Sequence, residues 1–188
     1  MSNKKNNWYE VSKNGLKKLL HNKPKSFILY ELFQNGWDQN TPFVEVECSW
    51  SNGSARIMVT DGDPDGFLDI ANAYTLFAES EKRSDITKRG RFCIGEKLVL
   101  AFCEEARILS TKGGIIFSAD GTRKKINKKR KCGSSVECII KMTKAEYTEM
   151  CNSVYILIPP QNIKTTFNGE VLQSNKFITS FIESLPTK

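Results

Sequence analysis

Two β-rich segments, FVEVECSW (43–50) and SARIMVTD (54–61), are separated only by Ser51-Asn52-Gly53. Asn-Gly between such runs is a strong hairpin signal, because both residues tolerate the positive φ that a tight turn between twisted strands requires. An antiparallel pair is therefore the fixed point around which the rest of the chain must fold. The second segment delivers DGDPDGF, residues 61–67, directly at its end. Three alternate aspartates followed by glycine also open the calcium-loop pattern, in which carboxylates converge on a hard cation. The flanks decide against calcium. With Asp61 as the first position, the required bidentate carboxylate falls on Asn72, and ARIMVT is strand-like where such a loop follows a helix.

Helical spacing marks WYEVSKNGLKKLL (8–20), with Trp8, Val11, Leu16, Leu19 and Leu20 recurring, and SFILYELFQNGWDQ (26–39), which Thr41-Pro42 ends. Further helices are expected over FLDIANAYTLF (67–77), from about 94 to 104, and over KAEYTEMC (144–151). Strands are expected at RILSTK, GIIFSA and SVECIIKM, and TTFNGEVL holds a second hairpin turn at Asn168-Gly169. Helices beside a mixed, mostly antiparallel sheet make an α+β fold, a two-layer α/β sandwich with the helices on one face.

A chain of 188 residues is read as a single domain with a sizeable core. No apolar run approaches the roughly 20 residues that span a bilayer, and the lysines near the start lack a following apolar stretch. A soluble protein without a secretory signal or membrane partner is expected, with the cytoplasm as its compartment. Cysteines at 48, 93, 103, 132, 138 and 151 show no zinc-site spacing, and with a single histidine, His21, they read as reduced, mostly buried thiols. The net charge of +7 is uneven: RKKINKKRK (123–131) carries seven cations and no acid. Such a run either docks a phosphate backbone or another acidic surface, or is a solvated loop, here spanning about 121–132; it has no interleaved aromatics for base stacking.

The segment E31-L-F-Q-N35-G-W-D38 sets Glu31, Asn35 and Asp38 at i, i+4 and i+7, on one face of a helix. It resembles the E-x-x-x-N-x-x-D box of the GHKL superfamily, which includes gyrase, ninety-kilodalton heat-shock chaperones, histidine kinases and MutL. VTDGDPDGF is similar to that family's strand ending in D-x-G-x-G, one residue longer here. G90-R-F-C-I-G95-E-K resembles its glycine-rich box before a helix, where backbone N–H groups and the helix dipole suit phosphate. G133-S-S-V resembles its G-T-x-V strand. The third box is similar to the chaperone and MutL branches. The four boxes run in the family's order over residues 31–147.

The resemblance implies a Bergerat-type ATP-binding fold and a residue-by-residue site. Asp61 would receive the adenine amino group, Ser134 would hold adenine through water, and Asn35 would complete the coordination of magnesium. Glu31 would orient or deprotonate the attacking water. Asp38, Gly66, Gly90, Arg91, Phe92, Cys93, Ile94 and Gly95 would line the nucleotide pocket, with Lys82 reaching it from an ATP lid over 78–92, where Ser80 also lies. TTFNGEVL resembles at most the opening of the second domain that carries a further cation in the chaperone and MutL branches. Small single-domain relatives of this kind resemble proteins of phage or bacterial genomes. The expected function is Mg-ATP binding with slow hydrolysis stimulated by a protein partner. The alternative is a non-hydrolysing module, switched by ATP or ligand-free, that docks a protein or nucleic acid through its basic surface. Oligomeric state is not legible, and length argues against gyrase-like strand passage.

Overall fold

The computed structural model describes residues 12–20, 22–67, 70–73 and 95–173. The hairpin forms where Asn-Gly places it: β1 (Phe43–Ser51) and β2 (Ser54–Asp61) pair antiparallel, with Val46 opposite Val59 and Ser51 opposite Ser54. Asn52 and Gly53 turn the chain at φ of 50° and 77°, the left-handed pair of a two-residue hairpin turn. β3 (Cys103–Ser110), β4 (Gly113–Phe117), β5 (Arg123–Ile126), β6 (Ser135–Lys141), β7 (Lys164–Phe167) and β8 (Glu170–Val171) extend the pair on both sides. The described residues form an eight-stranded sheet in the order β5-β4-β3-β6-β2-β1-β7-β8, antiparallel throughout except between β1 and β7.

The two-residue period gives the sheet one apolar face. Val44 and Val46 of β1 and Ala55, Ile57 and Val59 of β2 are buried, while Glu45, Glu47 and Arg56 between them are exposed. The register sets Ile57 beside Cys138 and Cys138 beside Ala106, continuing that face over β6 and β3. On the other face Arg56 Nε lies 2.7 Å from Glu137 Oε1. An exposed pair of this kind contributes about 0–1 kcal/mol, so the helix-side core holds the sheet.

Three helices cover the apolar face: α2 (Ser26–Trp37), α3 (Gly95–Phe102) and α4 (Lys144–Asn152). They bury Ile28, Leu32, Phe33, Val99, Phe102 and Met150, each worth about 1.5–3 kcal/mol over an exposed position. Phe27 and Phe102 lock α2 to α3 edge to face at 5.6 Å. A capping box starts α4: Thr143 Oγ1 accepts from Glu146 N–H at 3.2 Å, and Thr143 N–H donates to Glu146 Oε2 at 2.8 Å. The α+β two-layer arrangement is the expected one.

Several local expectations change. α1 (Lys13–Leu19) is shorter than the helix read over 8–20: Ser12 Oγ caps it by accepting from Gly15 N–H, and residues 1–11 lie outside the described residues. Leu16 packs inward and Leu20, at the C-cap, is buried in the core, while Leu19 is 82% exposed. Of the helix read over 67–77, residues 70–73 form a 3-10 turn, and 68–69 and 74–77 lie outside the described residues. The basic run, read as a loop over 121–132, begins instead as edge strand β5, with Lys125 opposite Ile115 and Arg123 opposite Phe117. Pairing with β4 satisfies its backbone, and lysines on an edge strand keep further strands from adding. TTFNGEVL joins the same sheet as the rest of the described residues. β7 lies parallel to β1 in the same sheet, and Phe167 and Leu172 join the common core. No helix among the described residues is long and apolar enough to cross a membrane.

Candidate functional site

The alternation that turns Ala55, Ile57 and Val59 toward the helices carries Asp61, the next residue of that series, to the same face. A carboxylate thus ends β2 only 6% exposed. Its Oδ1 accepts from Asp63 N–H at 3.0 Å and from Ser134 N–H at 3.2 Å. Burial pushes the Asp61 carboxyl above the ordinary value, the two amides pull it back down, and the adjacent Asp63 charge adds to the rise.

Ser134 reaches this position because Gly133 has no side chain. At φ +71°, a Cβ on Gly133 would stand 1.8 Å from the Asp61 carbonyl oxygen, so only glycine brings β6 against the end of β2. Ser134 itself is 1% exposed, and its hydroxyl is buried without a hydrogen bond. It acts weakly on the Asp61 carboxylate without the geometry of a bond.

Asp63, the second acid of DGDPDGF, fastens the loop. Its Oδ1 accepts from Asp65 N–H at 3.0 Å, its Oδ2 from Asn40 N–H at 3.1 Å, and its carbonyl from the N–H groups of Gly66 and Gly133. The carboxylates of Asp61 and Asp63 are thus turned onto separate backbone amides rather than onto one cation centre. Gly66, at φ +62°, lies where a Cβ would come within 2.6 Å of Ser110 Oγ, and that hydroxyl accepts from Phe67 N–H at 2.8 Å. Thr41 ties in the other side: its Oγ1 accepts from Gly62 N–H at 2.8 Å and donates to Phe43 O at 2.7 Å.

Beside this floor, α2 packs on the same face of the sheet and forms the second wall of the candidate site. Gly36 lets it approach β1 closely, since a Cβ there would sit 2.9 Å from Val44 Cγ1, and Trp37 Nε1 donates to Thr165 Oγ1 at 3.0 Å. This anchoring orients the face that bears Glu31, Asn35 and Asp38. Glu31 is half-buried, and burial raises its carboxyl above the ordinary value against the pull of Lys23. Asn35 Nδ2 is buried without a partner, while Asp38 is 6% exposed at the C-cap.

Among the described residues, the two buried side-chain atoms without a hydrogen bond belong to Asn35 and Ser134, two positions expected to hold nucleotide. An orphaned buried polar group is costly unless a ligand or water completes it. The residues therefore fit ATP. Toward magnesium, Asn35 would have to turn its amide by half a turn to present Oδ1, since the orphaned Nδ2 is a donor and cannot ligate a cation. Gly95 opens α3 as expected; Ser80, Lys82, Gly90, Arg91, Phe92, Cys93, Ile94 and the whole of 78–92 lie outside the described residues.

The sequence reading missed Thr41, the fastening role of Asp63 and the need for glycine at 133. It also missed that the basic run leads into the site. Arg130 N–H donates to Ser110 O at 3.0 Å and Cys132 Sγ donates to Gly62 O at 3.4 Å, immediately before Gly133 and Ser134. Chain adjacency to Gly133 was the available signal.

No protein-family model and no curated protein matches the chain by sequence. Two crystal structures of the ATPase region of Saccharomyces cerevisiae topoisomerase II match its fold at 15% identity. One, bound to ICRF-187 (dexrazoxane), gives a TM-score of 0.56 and the other 0.57. Each match covers 79% of this chain and 48% of the other, so this chain spans about half the length of those structures. The fold is thus like that of the topoisomerase II ATPase region. These neighbours come from topoisomerase II and give no support to the chaperone and MutL branches.

Proposed function

We propose that the protein binds ATP with magnesium in the pocket between the β2–β6 floor and α2, and hydrolyses it slowly. The carrying observation is the Asp61 carboxylate, buried and held through Oδ1 by two backbone amides beside an unpartnered Ser134 hydroxyl. With Oδ1 engaged, Oδ2 is the acceptor left for the exocyclic amine of adenine, and the Ser134 hydroxyl completes the base contacts directly or through one water. A base lacking that amine leaves the buried carboxylate unpaired, which gives selectivity.

On the α2 wall Asn35 would hold magnesium through its side-chain oxygen; bound there, the ion neutralises phosphate charge and orients the phosphates. Glu31, half-buried with a raised carboxyl, is suited to take a proton from a water attacking the terminal phosphate. A residue at 82 or 91 would supply positive charge to that phosphate, and a protein partner supplying a further cation would raise the rate. Calorimetric titration with ATP, with and without magnesium, tests the reading. Submillimolar binding that Asp61→Asn removes while the fold persists supports it; no binding by the wild type rejects it.

A second reading concerns the basic ridge. Arg123, Lys124 and Lys125 on β5, and Lys128, Lys129 and Lys131 after it, are exposed, and the run enters the pocket floor at Gly133. Such a ridge suits nucleic-acid phosphate. Binding should weaken steeply with salt, and neutralising three of these lysines should flatten the slope of log K against log salt by about 3. Salt-independent binding, or an unchanged slope, contradicts it.

A further inference from the structure

At the other end of β1 two thiols meet. Cys48 belongs to the strand's inward-facing series, and Cys151 follows Tyr147 by one turn on α4, which packs over that strand. The two thiols lie close enough to act on each other's ionisation, and both are half-buried. Their surroundings hold them in place. Cys48 N–H donates to Asn168 Oδ1 at 2.7 Å, and Tyr147 Oη donates to Cys48 O at 3.1 Å, so strand and helix are pinned at this residue. Among the described residues the other titratable neighbours are Lys144, whose Nζ lies 4.8 Å from the Tyr147 ring centroid and 5.2 Å from that of Trp50, and Tyr155. The other described cysteines differ: Cys103 and Cys138 are buried, and Cys132 is exposed and donates to Gly62 O.

The pair is chemically asymmetric. The neighbouring Cys48 thiol lowers Cys151 to about 7, with help from Tyr147 and the Lys144 charge, while Cys48 is pushed up and remains a thiol. One member is an anionic nucleophile near neutral pH, and the other is a protonated neighbour placed to respond.

We propose that Cys48 and Cys151 form a peroxide-reactive dithiol that closes to an intramolecular disulfide joining β1 to α4. The Cys151 thiolate attacks a hydroperoxide oxygen, the O–O bond breaks, and sulfenic acid forms with release of hydroxide, or of alkoxide from an organic peroxide. The Cys48 thiol then attacks the sulfenic sulfur, forming the S–S bond and expelling water. Two thiols lose two electrons and the peroxide gains them; the released hydroxide takes up the proton given up when the thiolate formed. The bridge ties residues far apart in sequence, so it also stabilises the fold by restricting the unfolded chain.

The test is treatment of the reduced wild-type protein with substoichiometric hydrogen peroxide near neutral pH, followed by alkylation and peptide mass mapping. The expected product is a monomer lighter by about 2 Da, two hydrogens being lost per disulfide, with the peptides of Cys48 and Cys151 cross-linked before Cys132 reacts. Cys48→Ala should let a dimedone adduct build up on Cys151 about tenfold or more above wild type, and Cys151→Ala should remove the fast phase of peroxide consumption. Oxidation falling first on any other cysteine, an intermolecular cross-link, or equal dimedone trapping in wild type and Cys48→Ala overturns the proposal. The wild-type map decides even if a variant fails to fold.

Discussion

The floor and the wall of the candidate site are built on opposite principles. On the floor, Asp61 and Asp63 spend carboxylate oxygens on the amides of Asp63, Ser134, Asp65 and Asn40, so the groups that would read the base also hold the loop together. On the wall, α2 is fixed by Phe33, Gly36 and Trp37, while Asn35 Nδ2 has no partner and Glu31 carries the cost of burial. Floor residues would therefore couple folding to binding, whereas Glu31 and the Asn35 amide would serve a ligand alone. Substitutions should sort accordingly.

The largest loss of stability should come from Gly133→Ala, which forces a methyl group into the Asp61 carbonyl at a left-handed position. A loss of about 4 kcal/mol or more, or no folded protein, is expected in urea unfolding. Tolerance of alanine would break the claim that β6 needs this approach to set Ser134. Asp63→Ala comes next. It releases the Asn40 and Asp65 amides, both near solvent, and should lower stability by about 1–2 kcal/mol while weakening ATP binding only indirectly. Asp61→Asn keeps an acceptor oxygen for the Asp63 and Ser134 amides, so stability should stay within about 1 kcal/mol of wild type while ATP binding is lost.

Glu31→Gln should have the smallest effect on folding and a large one on chemistry, lowering single-turnover hydrolysis by about 10²–10⁴-fold with ATP affinity little changed. An unaltered rate would remove Glu31 from the reaction. The pH profile sharpens the contrast further. Asp61 and Glu31 both titrate above their ordinary values of 3.8 and 4.5 in the folded chain. The folded state then keeps protons that the unfolded chain has released, so stability falls as pH rises from those values through the raised ones. Asp61→Asn and Glu31→Gln should each flatten that fall in thermal unfolding across acidic pH.

Legibility followed the same division. Local signals with a direct physical cause carried through: Asn52-Gly53 and Asn168-Gly169 make turns, the spacing of Glu31, Asn35 and Asp38 makes a polar helix face, and strand alternation brings Asp61 inward. Thr143 and Glu146 could also have announced the start of α4. What depended on distant segments did not show. The bond from Asn40 to Asp63, the contact of Gly133 with the Asp61 carbonyl and the parallel pairing of β7 with β1 join residues far apart in sequence. Strand β5 was hidden for another reason: its charge suggests a solvated loop, and only the unpaired edge of β4 makes it a strand.

The most direct test of the central claim is the affinity of the wild-type protein for ATP against its analogue lacking the 6-amino group, measured by calorimetry in magnesium. The account predicts discrimination by about 10²-fold or more, collapsing in Asp61→Asn, because the analogue leaves a buried carboxylate without its donor. Equal affinity of the wild type for the two nucleotides would mean that Asp61 does not read the base, and the site as described would be wrong.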